Sequence, residues 1–264
     1  MPDHGETRRS GPVVMRGSQK RATEDQRLLQ ERPEPEFLQT DSWRALRILS
    51  EFVEGFDALA AVGPAVSIFG SARVKETDPS YEKARRLAHR LALEGYAVVT
   101  GGGPGIMEAA NRGASEAGGV SIGCNIELPF EQGLNEYVNL GMEFRYFFVR
   151  KVMFLKYAVG FCIFPGGFGT LDELFESLTL IQTGKVEHFP IVLFGRDYWK
   201  GMLDWISGPM LEQGKISKAD LNLFTLTDDV DEAVEAILSR RRNQPAEEAS
   251  QAATEAAVKE ADRP

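Results

Sequence analysis

The sequence predicts an α/β fold built on a doubly wound, mostly parallel sheet in a single domain. Three observations lead there. Between residues 65 and 241, short runs rich in valine, isoleucine and phenylalanine alternate with longer amphipathic stretches, the order expected when each strand is followed by a helix. Several of the runs are continuously apolar rather than alternating, which suits strands covered on both faces. Glycine clusters end three of them, where a chain turning from strand to helix needs dihedrals that other residues resist.

The elements follow in order. Residues 1–36 carry seven acids and seven bases, with Pro33 and Pro35 near the end and almost no apolar periodicity. A disordered arm is expected there, and the folded part is expected over 37–242. That part opens with a helix in which Leu46, Leu49, Val53, Phe56 and Ala60 recur at spacings of three and four. Such a stripe packs either onto the chain's own sheet or against another subunit. Strands are expected at 65–70, 96–100, 120–125, 137–140, 161–164, 191–194 and 223–225. Helices are expected at 80–94, 105–117, 144–158, 170–183, 197–213 and 229–241. This is a Rossmann-like succession without an internal repeat. Residues 243–264, with seven alanines, five acids and two bases, are expected to form a disordered tail.

Composition excludes several function classes. The 264 residues are 43% hydrophobic and 26% charged, enough apolar material for a core. The net charge of −9 repels phosphate backbones, so nucleic-acid binding is not expected. The longest apolar runs, such as 158–164, are too short to span a bilayer, and the N-terminus has no apolar signal segment, so a cytoplasmic location is expected. The two cysteines and three histidines have no metal-ligand spacing. Neither a metal nor a cofactor is expected.

Ligands of open α/β sheets bind at the carboxyl ends of the strands, and the glycine clusters mark those ends. The first strand runs into Gly70-Ser71-Ala72-Arg73, which makes Ser71 and Arg73 candidate anion contacts. The second runs into Gly101-Gly102-Gly103-Pro104-Gly105, and the fifth into Pro165-Gly166-Gly167-Phe168-Gly169-Thr170. Glycine lets an anion approach the main-chain N–H groups of a helix N-terminus. One such turn would merely connect two elements. Three at strand ends point to a phosphate-bearing ligand. The G-x-x-x-x-G-K-[ST] loop is absent and neither cluster completes G-x-G-x-x-G, so a mononucleotide or sugar phosphate is expected rather than ATP or NAD.

The segments GGGPGIMEAANRGA (101–114) and PGGFGTLDE (165–173) resemble the two signature motifs of the Lonely guy family. These are cytokinin riboside 5′-monophosphate phosphoribohydrolases, long labelled lysine decarboxylases. The pattern PGGxGTxxE is matched by Pro165, Gly166, Gly167, Gly169, Thr170 and Glu173, and the resemblance spans about 65–237. It implies hydrolysis of cytokinin riboside 5′-monophosphate or AMP to the free purine base and ribose 5-phosphate. Arg150 of the Arg150-Lys151 pair and Glu173 would be the catalytic residues. Lys151, Gly102, Gly103, Gly105, Gly166, Gly167, Phe168, Gly169, Thr170, Leu171, Asp172 and Thr179 would bind the nucleotide. A base contact is implied between Ser121 and Glu136 without a residue being fixed. The resemblance also implies a homodimer or larger homo-oligomer.

The residue types suit that chemistry. Glycosidic cleavage passes through an oxocarbenium-like state, which needs a carboxylate beside the anomeric carbon and a positioned water. Glu173 lies in the first helical turn after the second glycine motif. Asp172 points about 100° away from it on a helix, so one of the two is expected to face the ligand, and Glu173 completes the motif. Arg150 stays protonated and cannot act as a general acid; it would hold Glu173 or the ribose phosphate through a bidentate contact. Plainer readings stand beside these. Glu173 could be a first-turn acid complementing the helix dipole. Arg145, Arg150, Lys151 and Lys156 could form a solvated face, and Glu108 and Asn111 could be surface or capping residues. Cys124 and Cys162 read as small core residues. A non-catalytic nucleotide sensor or carrier is the alternative function. Literal lysine decarboxylation would need a Schiff-base lysine in a pyridoxal phosphate setting, which neither Lys151 nor Lys156 resembles.

Overall fold

The computed structural model describes residues 25, 40–129, 133–186 and 189–239. Save for Asp25, the arm expected over 1–36 and the tail expected over 243–264 lie outside the described residues. In chain order the elements are α1 (Asp41–Leu59), β1 (Ala65–Phe69), α2 (Pro79–Leu93), β2 (Ala97–Thr100), α3 (Ile106–Glu116), β3 (Ser121–Ile126) and β4 (Leu140–Phe144). There follow α4 (Phe147–Lys156), β5 (Ala158–Ile163), α5 (Phe168–Gln182), β6 (Ile191–Phe194), α6 (Arg196–Trp205) and β7 (Thr225–Thr227), and a helix α7 over 230–239. All strand pairings are parallel, and the α/β class expected from the sequence is what the chain adopts.

The chain divides into two compact units. One holds the chain up to Ser67 together with Ala72–Ala158; the other holds Ile68–Ser71 and the chain from Val159 onward. In the first unit the strand order is β4-β3-β2-β1, with Ala65 opposite Ala97, Val98 opposite Ser121 and Ile122 opposite Leu140. Strands β1, β2 and β3 are buried along their whole length, as their unbroken apolar runs require. Leu87, Leu91, Ile106, Tyr146, Met153 and Phe154 complete this core. Helix α2 starts cleanly because the Asp78 carboxylate accepts the Ser80 N–H at 2.8 Å and Pro79 occupies the first turn, where its missing N–H costs nothing.

In the second unit the Phe164 N–H donates to the Phe69 carbonyl, and β6 lies between β5 and β7. Its core is aromatic. Phe164 stacks on Phe194 at 4.7 Å, Phe161 packs edge-on to Phe69 at 5.2 Å, and the buried Trp199 donates its indole N–H to the Phe194 carbonyl.

Four sequence expectations are corrected. The fourth strand is Leu140–Phe144, not 137–140, because Asn135 closes a turn there: its carbonyl accepts the Val138 N–H and its side chain accepts the Tyr137 N–H. The seventh is Thr225–Thr227, not 223–225, since Leu223 follows a 3₁₀ turn over Lys218–Asn222. The helix expected over 197–213 widens into a π turn at Ile206–Met210, where Gly208 leaves helical dihedrals and Pro209 supplies no N–H. Finally, the apolar stripe of α1 does not pack onto the sheet: Leu46, Leu49 and Val53 are exposed, whereas Arg44, Glu51, Gly55 and Leu59 are buried.

Candidate active site

The two longer glycine-rich strand ends fall one to each unit, and each is built on its own supports. In the first unit, β2 ends in Thr100, which is fully buried. Its hydroxyl accepts the Gly102 N–H at 2.9 Å and donates to the Asn111 side-chain oxygen at 2.6 Å. Asn111, on α3, donates in turn to the Ser121 hydroxyl and the Ile122 carbonyl on β3. Asn135 closes the network: its amide donates to the carbonyls of Gly102 and Gly103, both at 3.0 Å, and to Asn111 at 2.9 Å. With the Gly102 carbonyl held toward Asn135, the planar trans peptide directs the Gly103 N–H the opposite way. Gly102 has φ +71°, and a Cβ there would stand 2.5 Å from the Leu134 side chain. Gly105 precedes α3, also with positive φ and no side-chain cap. The loop therefore offers a helix N-terminus whose shape is fixed from below by two asparagines.

Arg150 of α4 reaches this loop. A Cβ on Gly101 would lie 3.9 Å from its Nη1, and its guanidinium sits over the rings of Phe147 at 4.9 Å and Phe154 at 5.4 Å. Its charge is felt at the end of β3: burial pushes the Cys124 thiol up to about 12, and Arg150 is the charge that opposes the rise. Arg150 and Lys151 are both half-buried, whereas Arg73, in the connection after β1, is exposed. Half-burial of Arg150 and Lys151 departs from a fully solvated face, and Arg73, the candidate anion contact after β1, stands in solvent. Cys124 and Cys162 are fully buried, as core residues should be.

In the second unit, Pro165-Gly166-Gly167 joins β5 to α5. The Pro165 carbonyl accepts the Ser71 N–H at 3.0 Å, and the Gly166 carbonyl accepts the Tyr198 hydroxyl at 2.6 Å. Gly166 is required sterically, since a Cβ would stand 2.1 Å from Thr170 Oγ1. Beyond it the loop opens: a Cβ on Gly167 or Gly169 would meet nothing within 4 Å, and Phe168 is 93% exposed. Gly167 caps α5 without a side-chain contact, and its carbonyl accepts the Thr170 and Leu171 N–H groups.

Helix α5 then sorts its side chains. Thr170, Glu173, Leu174 and Ser177 are buried, with Glu173 only 5% exposed, while Asp172 faces solvent and Leu171 is half-buried. The choice of Glu173 over Asp172 as the inward carboxylate agrees with this placement. Thr179 is exposed and donates its hydroxyl to the Phe175 carbonyl of its own helix at 2.6 Å. Three supports lay outside the sequence reading: Thr100, Asn135 and Tyr198. Asn111 was noted there only as a surface or capping residue. A threonine ending a strand before a glycine run is a usable signal for the first; nothing in the sequence marks Tyr198, which comes from the first turn of α6. Among the described residues no group of histidine, cysteine and carboxylate side chains is placed to hold a metal ion, and no helix is long and apolar enough to cross a membrane.

The family model described as "Possible lysine decarboxylase" matches residues 107–237. Over 141 residues the chain is 33% identical to a probable cytokinin riboside 5′-monophosphate phosphoribohydrolase of Arabidopsis thaliana, covering 52% of this chain and 69% of that protein. It is 26% identical over 157 residues to the cytokinin riboside 5′-monophosphate phosphoribohydrolase of Mycobacterium marinum, covering 59% and 83%. Among solved structures, the molybdenum cofactor binding protein of Rippkaea orientalis shares the fold, with a TM-score of 0.50 and 23% identity over 67% of this chain and 96% of that one.

Proposed function

The chain belongs to the Lonely guy family, the family also described as possible lysine decarboxylases, and from that membership we propose that it hydrolyses a purine nucleoside 5′-monophosphate to the free base and ribose 5-phosphate. The observation that carries the proposal is Glu173. It lies in the second turn of α5, one turn later than the sequence suggests, because the helix already begins at Phe168. Its carboxylate, 5% exposed and sharing a face with Thr170, follows a glycine turn whose backbone stands open. A phosphate loop alone has no need of that group. A glycosidase does, because positive charge grows at the anomeric carbon as the base departs.

In this reading Glu173 stabilises the ribosyl cation and accepts a proton from the attacking water. The water oxygen bonds to C1′, the C1′–N9 pair leaves with the base, the base takes one proton from solvent, and Glu173 returns its proton to solvent. The N–H groups around Gly167–Gly169, in the unit that carries Glu173, receive phosphate and ribose oxygens. Arg150, whose guanidinium sits over the rings of Phe147 and Phe154, is suited to a bidentate phosphate contact rather than to proton transfer. Lysine decarboxylation finds no support in Lys156, whose ammonium lies over the rings of Phe56 and Tyr157 at 5.1 and 5.3 Å.

Incubation with AMP and with N6-isopentenyl AMP, following free base by chromatography, tests the reading. Base release is expected, and Glu173→Gln should lower kcat by about 10²- to 10⁴-fold, the range for a lost acid–base group. The ratio of the two rates assigns the substrate within the family, a cytokinin precursor or plain AMP. Binding without release by the unaltered protein would overturn catalysis in favour of a nucleotide carrier.

A further inference from the structure

Glu51 is the only acid of α1 that turns inward, and it is 7% exposed. Its carboxylate does not serve its own helix. One oxygen accepts the main-chain N–H of Arg145 at 3.1 Å; the other accepts the same N–H at 3.2 Å and that of Tyr146 at 3.4 Å. Tyr146 is the residue from which α4 starts. That start has no side-chain cap and no acidic residue in its first turn, so Glu51 supplies from 95 positions upstream in the chain the negative charge that a helix N-terminus favours. A second contact fixes the same pair of helices one turn further along α1. Gly55 is buried against Met153 of α4, so closely that a Cβ would stand 2.8 Å from its sulfur.

The connection runs on to the site. The Tyr146 carbonyl accepts the Arg150 N–H at 3.3 Å, and the Arg150 side chain carries the guanidinium beside Gly101. We propose that Glu51 is a positioning residue: by holding the Arg145 and Tyr146 amides it sets the entry of α4 and thereby the placement of the Arg150 guanidinium at the first glycine loop. Burial and the neighbouring Glu54 push the Glu51 carboxyl above its ordinary range, while the two amides and Arg145 pull it back. A desolvated charge of this kind is a poor device for stability alone, and charges kept against such a cost tend to mark functional sites.

The inference rests on the phosphoribohydrolase reading for its activity readout, so a binding readout is measured beside it. Glu51→Leu, Glu51→Gln, Arg150→Ala and Glu51→Leu/Arg150→Ala are compared for AMP hydrolysis and, by calorimetry, for ribose 5-phosphate binding. Misplacing a positioned group should cost between about tenfold and a hundredfold, and Glu51→Leu is expected to lose that much in both readouts. Glu51→Gln retains one acceptor oxygen, should recover part of the loss, and serves as the variant of record if Glu51→Leu does not fold by circular dichroism. In the Arg150→Ala background the Glu51 substitution should add nothing, because its effect passes through the missing guanidinium. The same fold-loss in both backgrounds would overturn the proposal, as would unchanged binding and activity in Glu51→Leu. Absent hydrolysis with an intact binding cycle would sink the activity reading and leave the Glu51 inference standing. Absent binding and hydrolysis in the unaltered protein would overturn both.

Discussion

At the scale of single residues, the two glycine turns are shaped by contacts that glycine alone permits. Gly166 is the sharper case. A Cβ there would come within 2.1 Å of Thr170 Oγ1 and 2.6 Å of its Cβ, so rotating the threonine does not clear the clash. Gly166→Ala is expected to cost about 1–3 kcal/mol in urea unfolding, the range for overpacking a tight site, and to weaken nucleotide turnover. Adding Thr170→Ala should return only part of the stability, since it removes Oγ1 and Cγ2 but leaves the Cβ at 2.6 Å; strictly additive losses would show that the strain lies elsewhere. Gly166, Thr170 and Glu173 were all legible in the sequence, because a motif of fixed residues carries their spacing. The asparagines were not. Asn111 and Asn135 are 24 positions apart, and only folding shows that one side chain satisfies the other while holding two glycine carbonyls. A buried asparagine and a surface one look alike in a sequence.

At the scale of elements, strands with unbroken apolar runs were read correctly, whereas β4 was not. Its residues 140–143 alternate between half-buried and exposed ahead of the buried Phe144 and include a glycine, so the run lacks the signal that marked β1, β2 and β3. Helix α1 misleads in the opposite sense. Its apolar periodicity is real, yet the stripe points outward, with Val53 59% exposed, while the inward face carries Glu51, Gly55 and Leu59. Periodicity reports that a helix has two faces and not which one meets the sheet. Stability separates them. Val53→Glu is expected to change the unfolding free energy by less than about 0.5 kcal/mol at low protein concentration, as exposed substitutions do. Leu59→Ala should cost about 2–5 kcal/mol as a buried truncation. A loss of several kcal/mol from Val53→Glu would mean that the stripe is covered in solution.

At the scale of the whole molecule, the two residues assigned to chemistry belong to different compact units, Arg150 to the first and Glu173 to the second. Their roles differ in kind, and kinetics can separate them without reference to how the units are arranged. The protein carries a net charge of −9, so its general field disfavours an anionic nucleotide and the local cation must supply the attraction. Arg150→Ala should therefore raise KM for AMP by about tenfold to a hundredfold, the equivalent of one lost charge-assisted contact. Adenosine has no phosphate, and its kcat/KM should be untouched by the same change whatever its starting level. Glu173→Gln should do the reverse, lowering kcat for both substrates in proportion and leaving KM for AMP near its original value, because the carboxylate acts where charge develops during bond cleavage. Equal losses for AMP and adenosine in Arg150→Ala would remove the phosphate from the arginine's role and leave it a task that both substrates share, such as orienting the ribose hydroxyls.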